Sequence, residues 1–419
     1  MKPRIYILGG GTFAHVRNHL ALAAPAFGET ARHLAGICYE QLLPQDYEIV
    51  QHLTKMADRW SDLVTNEDVE AKVDQIIADP RAKIVFFNVA MTDFSGQVGY
   101  IDSGKHADRL QSRVEGQTML LTAKPKVISK IRQHRKDIFL VAFKTTTGKT
   151  PLDQYEAGLR LLKENSCNLV LANDTVTRKN TIITPEESRY EHYFDRKAAL
   201  NQLVKMAVSR SKCHFTRSTV VEGEAVSWQD DRVPASLRAV VDHCIEKGAY
   251  KPFHGKTVGH FAVKVGEGKF LTSARKTNFN HLAFPGNGLV DVTSTGQDTV
   301  IAVGRKPSVG GQSQRIIFEQ HKDLDCIVHF HCPMKLAGEG VIPVAEQWKY
   351  ECGSHECGEN TSRNLKEIEP GISAVYLEEH GPNIVFNRNI DPARVINFIG
   401  KYFDLEAKTG GVFSDWGQQ

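Results

Sequence analysis

Three histidines carry the most direct chemistry this sequence offers. In C-I-V-H-F-H-C, residues Cys326–Cys332, two imidazoles stand two positions apart. Alternation along an extended run puts His329 and His331 on one face of a strand. That is half of a metal site. His380, at the end of the β-type run V-Y-L-E-E-H-G, can complete it from a neighbouring strand. The residues alone leave a second reading open, in which these are hydrogen-bonded core histidines.

A scaffold must hold such a set, and 419 residues exceed one ordinary core, so two domains or a little more are expected. Hydrophobic content of 41% and charged content of 24% fit a soluble globular chain. The 52 basic and 49 acidic residues leave a formal charge of +3, and no Lys/Arg block marks a nucleic-acid surface. No run approaches the roughly 18 apolar residues of a membrane helix. M-K-P-R-I-Y-I-L leads into a strand with no cleavable signal, which gives a cytoplasmic expectation. Eight cysteines over this length read as thiols rather than a disulfide framework.

The chain opens as strand, glycine turn and helix: R-I-Y-I-L, then Gly9-Gly10-Gly11-Thr12, then a small-residue helical run from His19 to Ala35. Such a turn either lets a phosphate approach the helix N-terminus or is simply tight, and it lacks the G-x-G-x-x-G spacing. Later strands are K-I-V-F-F-N-V-A-M, ending at Thr92-Asp93-Phe94, then D-I-F-L-V-A-F-K and S-C-N-L-V-L-A-N-D. Strands separated by helical stretches predict an α/β fold with a doubly wound, Rossmann-like parallel sheet. Its ligand crevice falls at the strand C-terminal ends, where Gly9–Thr12, Asp93, Lys144, Asn173 and Asp174 stand. A basic amphipathic helix over Phe194–Ser211 closes this domain, and the polar stretch ending at Pro234 reads as a linker. The expected division is 1–212, a linker 213–234, and 235–419. From Ser236 a helix, several closely spaced strands, a second helix and the histidine strand predict an α+β or three-layer unit.

Over residues 1–210 the order of motifs resembles phosphopantothenoylcysteine synthetase, the nucleotide-dependent ligase of coenzyme A biosynthesis. The matching pieces are G-G-G-T with Val16-Arg17, A-M-T-D-F, R-L-Q-S at Arg109–Ser112, P-K-V-I-S-K-I-R, F-K-T-T-T and L-A-N-D. The resemblance implies an ATP- or CTP-binding pocket, with Arg109 and Lys144 able to meet a phosphate and Arg160, by spacing, the basic residue on the helix before A-N-D. Two departures stand out: Ala21 where the family has an Asn, and Thr146 for the acid of its F-K-x-E-T motif. A small apolar residue cannot replace an amide's hydrogen bonds, so the pocket is expected to be retained with altered or lost ligase chemistry.

Over roughly Ser236–Leu405 the chain resembles the class II aldolase/adducin family. The match runs through V-G-H-F-A-V-K, G-K-F-L-T-S-A-R-K, K-P-S at Lys306–Ser308, I-V-H-F-H, C-G-S-H-E-C-G and L-E-E-H-G. It implies a Zn2+ or other divalent ion on His329, His331 and His380, in an α/β/α domain with a mainly antiparallel sheet. It further implies an anion-binding set at His260, Arg275, Lys276 and Ser308. The family's proton-shuttling Glu falls on Gly310, leaving Gln312, Gln314 and Glu319 as the nearest polar residues. In C-G-S-H-E-C, Cys352, His355 and Cys357 are competent soft-metal ligands, but the spacing favours structural thiols with Ser354 or Asn360 as helix cap. Cys332 would become reactive if a metal lowered its pKa.

The expected function is thus a metal-dependent lyase acting on a small phosphorylated or acidic hydroxy-carbonyl compound, fused to a nucleotide-binding unit. A nucleotide-dependent phosphopantothenate-cysteine ligase and a non-catalytic scaffold are the other readings. Both resembled families build sites between subunits, so a homo-oligomer, dimer or tetramer, is expected, with neither nucleic acid nor membrane as partner.

Overall fold

The computed structural model describes residues 2–43, 45–113, 116–284, 286–296, 299–308 and 311–408. It divides into two compact units: one runs to Pro185 and resumes over Glu191–Ser211, while the other holds Glu186–Tyr190 and resumes at Lys212.

In the first unit the apolar runs at Ile84–Phe87, Leu140–Ala142 and Leu169–Ala172 are buried on both sides. Such runs suit parallel strands under helices. Five parallel strands form in the order Leu169–Asp174, Phe139–Thr146, Ala82–Ala90, Arg4–Gly11, Glu48–Leu53, and Lys179–Ile183 joins Leu169–Asp174 antiparallel. Helices Glu29–Gln41, Asn66–Ala78, Ile128–His134, Pro151–Asn165 and Arg196–Arg210 accompany them. The helical run expected from His19 to Ala35 is different. Phe13–Arg17 and Leu20–Ala23 form an antiparallel hairpin, and the helix begins only at Glu29, after Gly28 at φ 76°. The hairpin lies so close to the first strand that a Cβ on Gly11 would stand 2.0 Å from the Ala24 carbonyl oxygen, and Ala24 N–H donates to Thr12 O. Tertiary pairing overrides the helix propensity of the alanines.

In the second unit a mainly antiparallel sheet runs Arg217–Val221, Thr299–Val303, Leu289–Ser294, Lys269–Ser273, His260–Gly266, Cys326–His329, Gly381–Phe386, Ile372–Leu377 and Val344–Ala345, with Lys366–Glu369 also on Ile372–Leu377. Helices Ala235–Glu246 and Pro392–Tyr402 share one core with a sheet face, through Leu237, Val241, Phe398 and Ile399. Helices Gly311–Gln320 and His355–Asn364 cover the other through Ile317, Phe318, Cys357 and residues such as Ala262, Ile327 and Val385. The unit is therefore three layers, α/β/α.

The stretch expected as a linker, 213–234, belongs to this unit. Arg217–Val221 extends the sheet in parallel with Thr299–Val303, and Trp228 is 2% exposed, edge-on to Phe261 with its Nε1–H donated to Asp242. The polar residues around Trp228 hid a core anchor.

Candidate metal centre

The centre is built on sheet register. Cys326–His329 lies between two antiparallel neighbours that pair His329 with His260 on one side and with Asn383 on the other. Directly opposed residues point to the same face, so His260, His329 and Asn383 form one row. The row lies on the face covered by helix Gly311–Gln320, because Ala262, Ile327 and Val385, two positions along, pack there. His331 follows just past the strand end. His380 sits in the turn between Ile372–Leu377 and Gly381–Phe386, its N–H donated to Leu377 O.

Two glycines allow this closeness. A Cβ on Gly381, at φ 133°, would lie 2.2 Å from the Phe330 carbonyl oxygen. A Cβ on Gly259, at φ 101°, would lie 2.6 Å from the His329 carbonyl oxygen. Each glycine adjoins a site histidine, and no other residue tolerates both the dihedral and the contact.

The three rings converge. Centroids are 4.9 Å apart for His329 and His331, 4.7 Å for His329 and His380, and 4.6 Å for His331 and His380. One nitrogen from each lies within 4.8 Å of the others, and all three residues are buried. Pro382 O, which can only accept, lies 2.7 Å from His329 Nδ1. Nδ1 therefore carries the hydrogen and Nε2 presents a lone pair. Burial pushes the His329 imidazole down to about 4, partly opposed by that carbonyl contact. Burial, then the neighbouring His329, puts His260 well below the ordinary histidine range. Both are neutral at pH 7, the ligand-competent form.

A tetrahedral ion with Zn–N of 2.0–2.1 Å separates its nitrogens by about 3.3–3.4 Å. The His329 and His380 Nε2 atoms stand 3.3 Å apart. The residues present fit a divalent ion. They leave at least one coordination position for a further ligand.

The residues expected to bind an anion stand on backbone next to the row. Ser273 ends its strand with Oγ accepting from Phe261 N–H, next to His260. Ser308 N–H donates to Ser273 O, and Arg275 N–H to Lys306 O. Arg275 and Lys276 thus lie on one segment and Ser308 on a second that is hydrogen-bonded to it, with both cations exposed. Sequence reasoning missed what holds His260. Gln314, buried on helix Gly311–Gln320, donates from Nε2 to His260 Nδ1 at 2.8 Å. Gln314 stood out in the sequence only as a polar residue near the expected Glu. The contact depends on the helix crossing the sheet. Asn383 and the Pro382 carbonyl carried no sequence signal. Gly310 lies outside the described residues, as does the Gln312 side chain. Glu319 is on the helix surface, paired with Arg315 at 2.8 Å.

Burial pushes the Cys332 thiol up to about 12 despite Lys251 and Lys408. Ser354 does cap its helix, accepting from Cys357 N–H, whereas Asn360 lies within the helix and donates to Glu346 O.

In the first unit the parallel register brings Gly9–Gly11, Lys144, Asn173 and Asp174 to one sheet edge, and Thr12 and Asp93 follow strands that end there. The glycines serve packing: a Cβ on Gly9 would meet Ala31 Cβ at 2.3 Å, and one on Gly10 would meet Thr54 Oγ1 at 2.2 Å. Thr12 Oγ1 donates to Asn66 and accepts from Thr92 N–H. Asp93 pairs with Lys126 at the surface. Asp174 is consumed locally, accepting from Thr146 Oγ1 and the amides of Gly148, Lys149, Val176 and Thr177. Burial opposes its ionisation, but these donors outweigh burial and hold the carboxyl far below the usual range. Lys144 is half-buried on its strand, Arg160 is exposed on helix Pro151–Asn165, and Arg109 is exposed in an irregular segment. A cavity of about 570 Å³ in this unit, lined by Arg4, Tyr6, His52, Lys72 and Asp79, involves none of the expected nucleotide residues.

Among the described residues no helix is long and apolar enough to cross a membrane. No family model matches this sequence, and no curated protein does. Among solved structures, the DNA/pantothenate metabolism flavoprotein from Streptococcus pneumoniae is 16% identical with a TM-score of 0.41, covering 50% of this chain and 98% of that one. L-Fuculose 1-phosphate aldolase, 16% identical with a TM-score of 0.29, covers 38% of this chain and 79% of that one. A sugar-phosphate aldolase from Thermotoga maritima is 16% identical with a TM-score of 0.28, covering 38% and 89%. These are likenesses of the two parts of a mixed α/β chain, and the chemistry of the histidine centre is argued from its own geometry.

Proposed function

We propose that the second unit is a metal-dependent carbon–carbon lyase of the class II aldolase type, acting on a small phosphorylated or acidic hydroxy-carbonyl compound. The observation that carries this reading is the convergence of three buried imidazoles on one point, 4.8 Å or less between ligand atoms. A scaffold has no use for such a set, since burying polar rings is unfavourable unless they are satisfied.

A divalent ion held by His329, His331 and His380 supplies Lewis-acid stabilisation of negative charge at a substrate oxygen. The chain's own residues do the rest. The Pro382 carbonyl orients His329. Gln314 fixes the ring of His260 beside it. Arg275 and Lys276 offer exposed charge for a phosphate or carboxylate, and Ser308 a hydroxyl beside them. The first unit is proposed to bind a nucleotide, ATP or CTP, or a substrate carrying one, at the edge where Lys144 stands.

Metal analysis by inductively coupled plasma mass spectrometry tests the reading. About one zinc, manganese or cobalt per chain, lost in His329→Ala/His331→Ala, is expected, followed by cleavage of a phosphorylated hydroxy-carbonyl substrate by the loaded protein. No bound metal after reconstitution with each of these ions would refute it.

A further inference from the structure

The row of side chains that carries His329 has two flanks. His260 and Asn383 stand directly opposite His329 on its two neighbouring strands, so the three side chains leave one face of the sheet side by side. Neighbouring strands lie about 4.8 Å apart, so each flanking side chain adjoins the histidine between them. His260 is 4% exposed and Asn383 2% exposed. Each carries a polar atom that the fold leaves unmet.

Asn383 Oδ1 is buried without a hydrogen-bond partner among the described residues. Its surroundings on that face are apolar: Val375 is directly opposite, and Val385 follows two positions along. A leucine of similar size would suit such a place better, because an unmet buried acceptor is destabilising. The oxygen calls for a ligand that donates to it.

His260 is the converse case. Gln314 Nε2 donates to its Nδ1 at 2.8 Å, so Nδ1 carries the lone pair and Nε2 the hydrogen. The reversed amide would strand the Gln314 NH2 where Oε1 now lies buried and unpaired, and an orphaned buried N–H is the rarer arrangement. The His260 Nε2–H donates to none of the described residues. Its ring lies 4.7 Å from that of His329 between centroids. A donor thus stands on one side of His329 and an acceptor on the other.

Building on the metal-centre reading above, we propose that His260 and Asn383 set the direction in which a hydroxy-carbonyl ligand lies along this row: its carbonyl oxygen accepts from His260 Nε2–H, and its hydroxyl donates to Asn383 Oδ1. Both are then substrate-binding residues, and Gln314 is a positioning residue that holds the His260 tautomer. Turned end for end, the same ligand would set its carbonyl oxygen against Oδ1, acceptor against acceptor. Fixed donor and acceptor positions therefore distinguish two ends of a small molecule that are otherwise alike in size.

The test uses the full-length protein loaded with whichever of zinc, manganese or cobalt it takes up, with metal content measured by mass spectrometry. The probes are lactate and pyruvate, which share a skeleton and a carboxylate and differ in a hydroxyl against a carbonyl. Asn383→Leu, with Asn383→Val as the smaller alternative, is expected to keep the metal, to melt no lower than wild type, and to bind lactate about three- to tenfold more weakly, as one net hydrogen bond implies, while pyruvate changes less than about twofold. His260→Phe should weaken both acids. In the wild type, long-range 1H–15N NMR of labelled histidine should show His260 protonated on Nε2. A His260 protonated on Nδ1, a wild type that binds neither acid, Asn383 variants that melt well below wild type, or variants that keep the wild-type ratio of lactate to pyruvate affinity would each overturn this inference and leave the metal centre standing. A wild type that takes up no metal would overturn the metal-centre reading and this inference with it.

Discussion

Metal-linked stability gives the sharpest test of the histidine centre, because it needs no substrate. A ligand that binds only the folded state stabilises it by RT ln(1 + [L]/Kd), about 2.7 kcal/mol at one hundred times Kd. The unit holding the centre has about 200 residues. A unit of that size shifts its Tm by about 2–4 °C per kcal/mol, so saturation should raise its transition by about 5–11 °C. The three ligand nitrogens already lie within 4.8 Å of one another, so little of this is spent on rearrangement. Removing one imidazole should collapse the shift to about 1 °C or less. The quantity compared is the shift between metal-free and metal-loaded protein, since each His→Ala change also leaves a hole in a buried site. Calorimetry with zinc, cobalt and manganese on wild type, His329→Ala, His380→Ala and the surface control His355→Ala completes the assay. Cobalt and manganese guard against zinc binding to cysteines of the unfolded chain, which would shrink the apparent effect. A wild type with no shift for any ion, or a His380→Ala protein with the wild-type shift, would refute the reasoning.

Gly381→Ala should lower the same transition by about 2–12 °C: a dihedral favoured only by glycine costs about 1–3 kcal/mol, and the new Cβ would press on the Phe330 carbonyl from 2.2 Å. It should also weaken metal binding, because His380 is the preceding residue; unchanged Tm and affinity would show that the turn is looser than described. Asp174 predicts an acid limb. Its folded carboxyl is held below the unfolded value, so its stabilisation is complete above about pH 4, the unfolded pKa, and is lost as pH falls towards the folded one. Asp174→Asn should lower the first unit's Tm at pH 7 and flatten that limb; a variant with the wild-type pH profile would mean that the hydrogen bonds to Thr146 and the four amides do not hold the loop.

What could be read from the sequence follows the range of the interactions involved. His329 and His331 were legible because strand periodicity is a local rule, and His380 because a histidine beside a glycine ended another strand. The parallel sheet was legible for the same reason: its strands are unbroken apolar runs such as Phe139–Ala142. The hairpin Phe13–Ala23 was not, since the alanines around it favour a helix until Gly11 and Ala24 are brought together from outside the local window. Trp228 was lost in a polar stretch for a similar cause. The link from Gln314 to His260 spans 54 positions and two layers, and nothing in either local pattern encodes it.

The same distinction explains where the centre is placed. Its first histidine sits at the end of a strand paired on both sides, so its backbone is fixed by ladders rather than by contacts among the ligands. His260 is fixed by one of those ladders and by Gln314, and His380 by a turn that closes only with glycine at 381. Histidines on flexible loops would surrender side-chain and backbone entropy, about 1–2 kcal/mol per residue for the backbone alone, each time an ion bound. Here that ordering is accomplished when the sheet folds, helix Gly311–Gln320 covers the same face with apolar residues, and burial keeps His329 and His260 neutral. The sheet therefore contributes to metal affinity through geometry settled before the ion arrives. Substitutions at Gly259 and Gly381, which touch no ligand atom, should weaken metal binding for that reason.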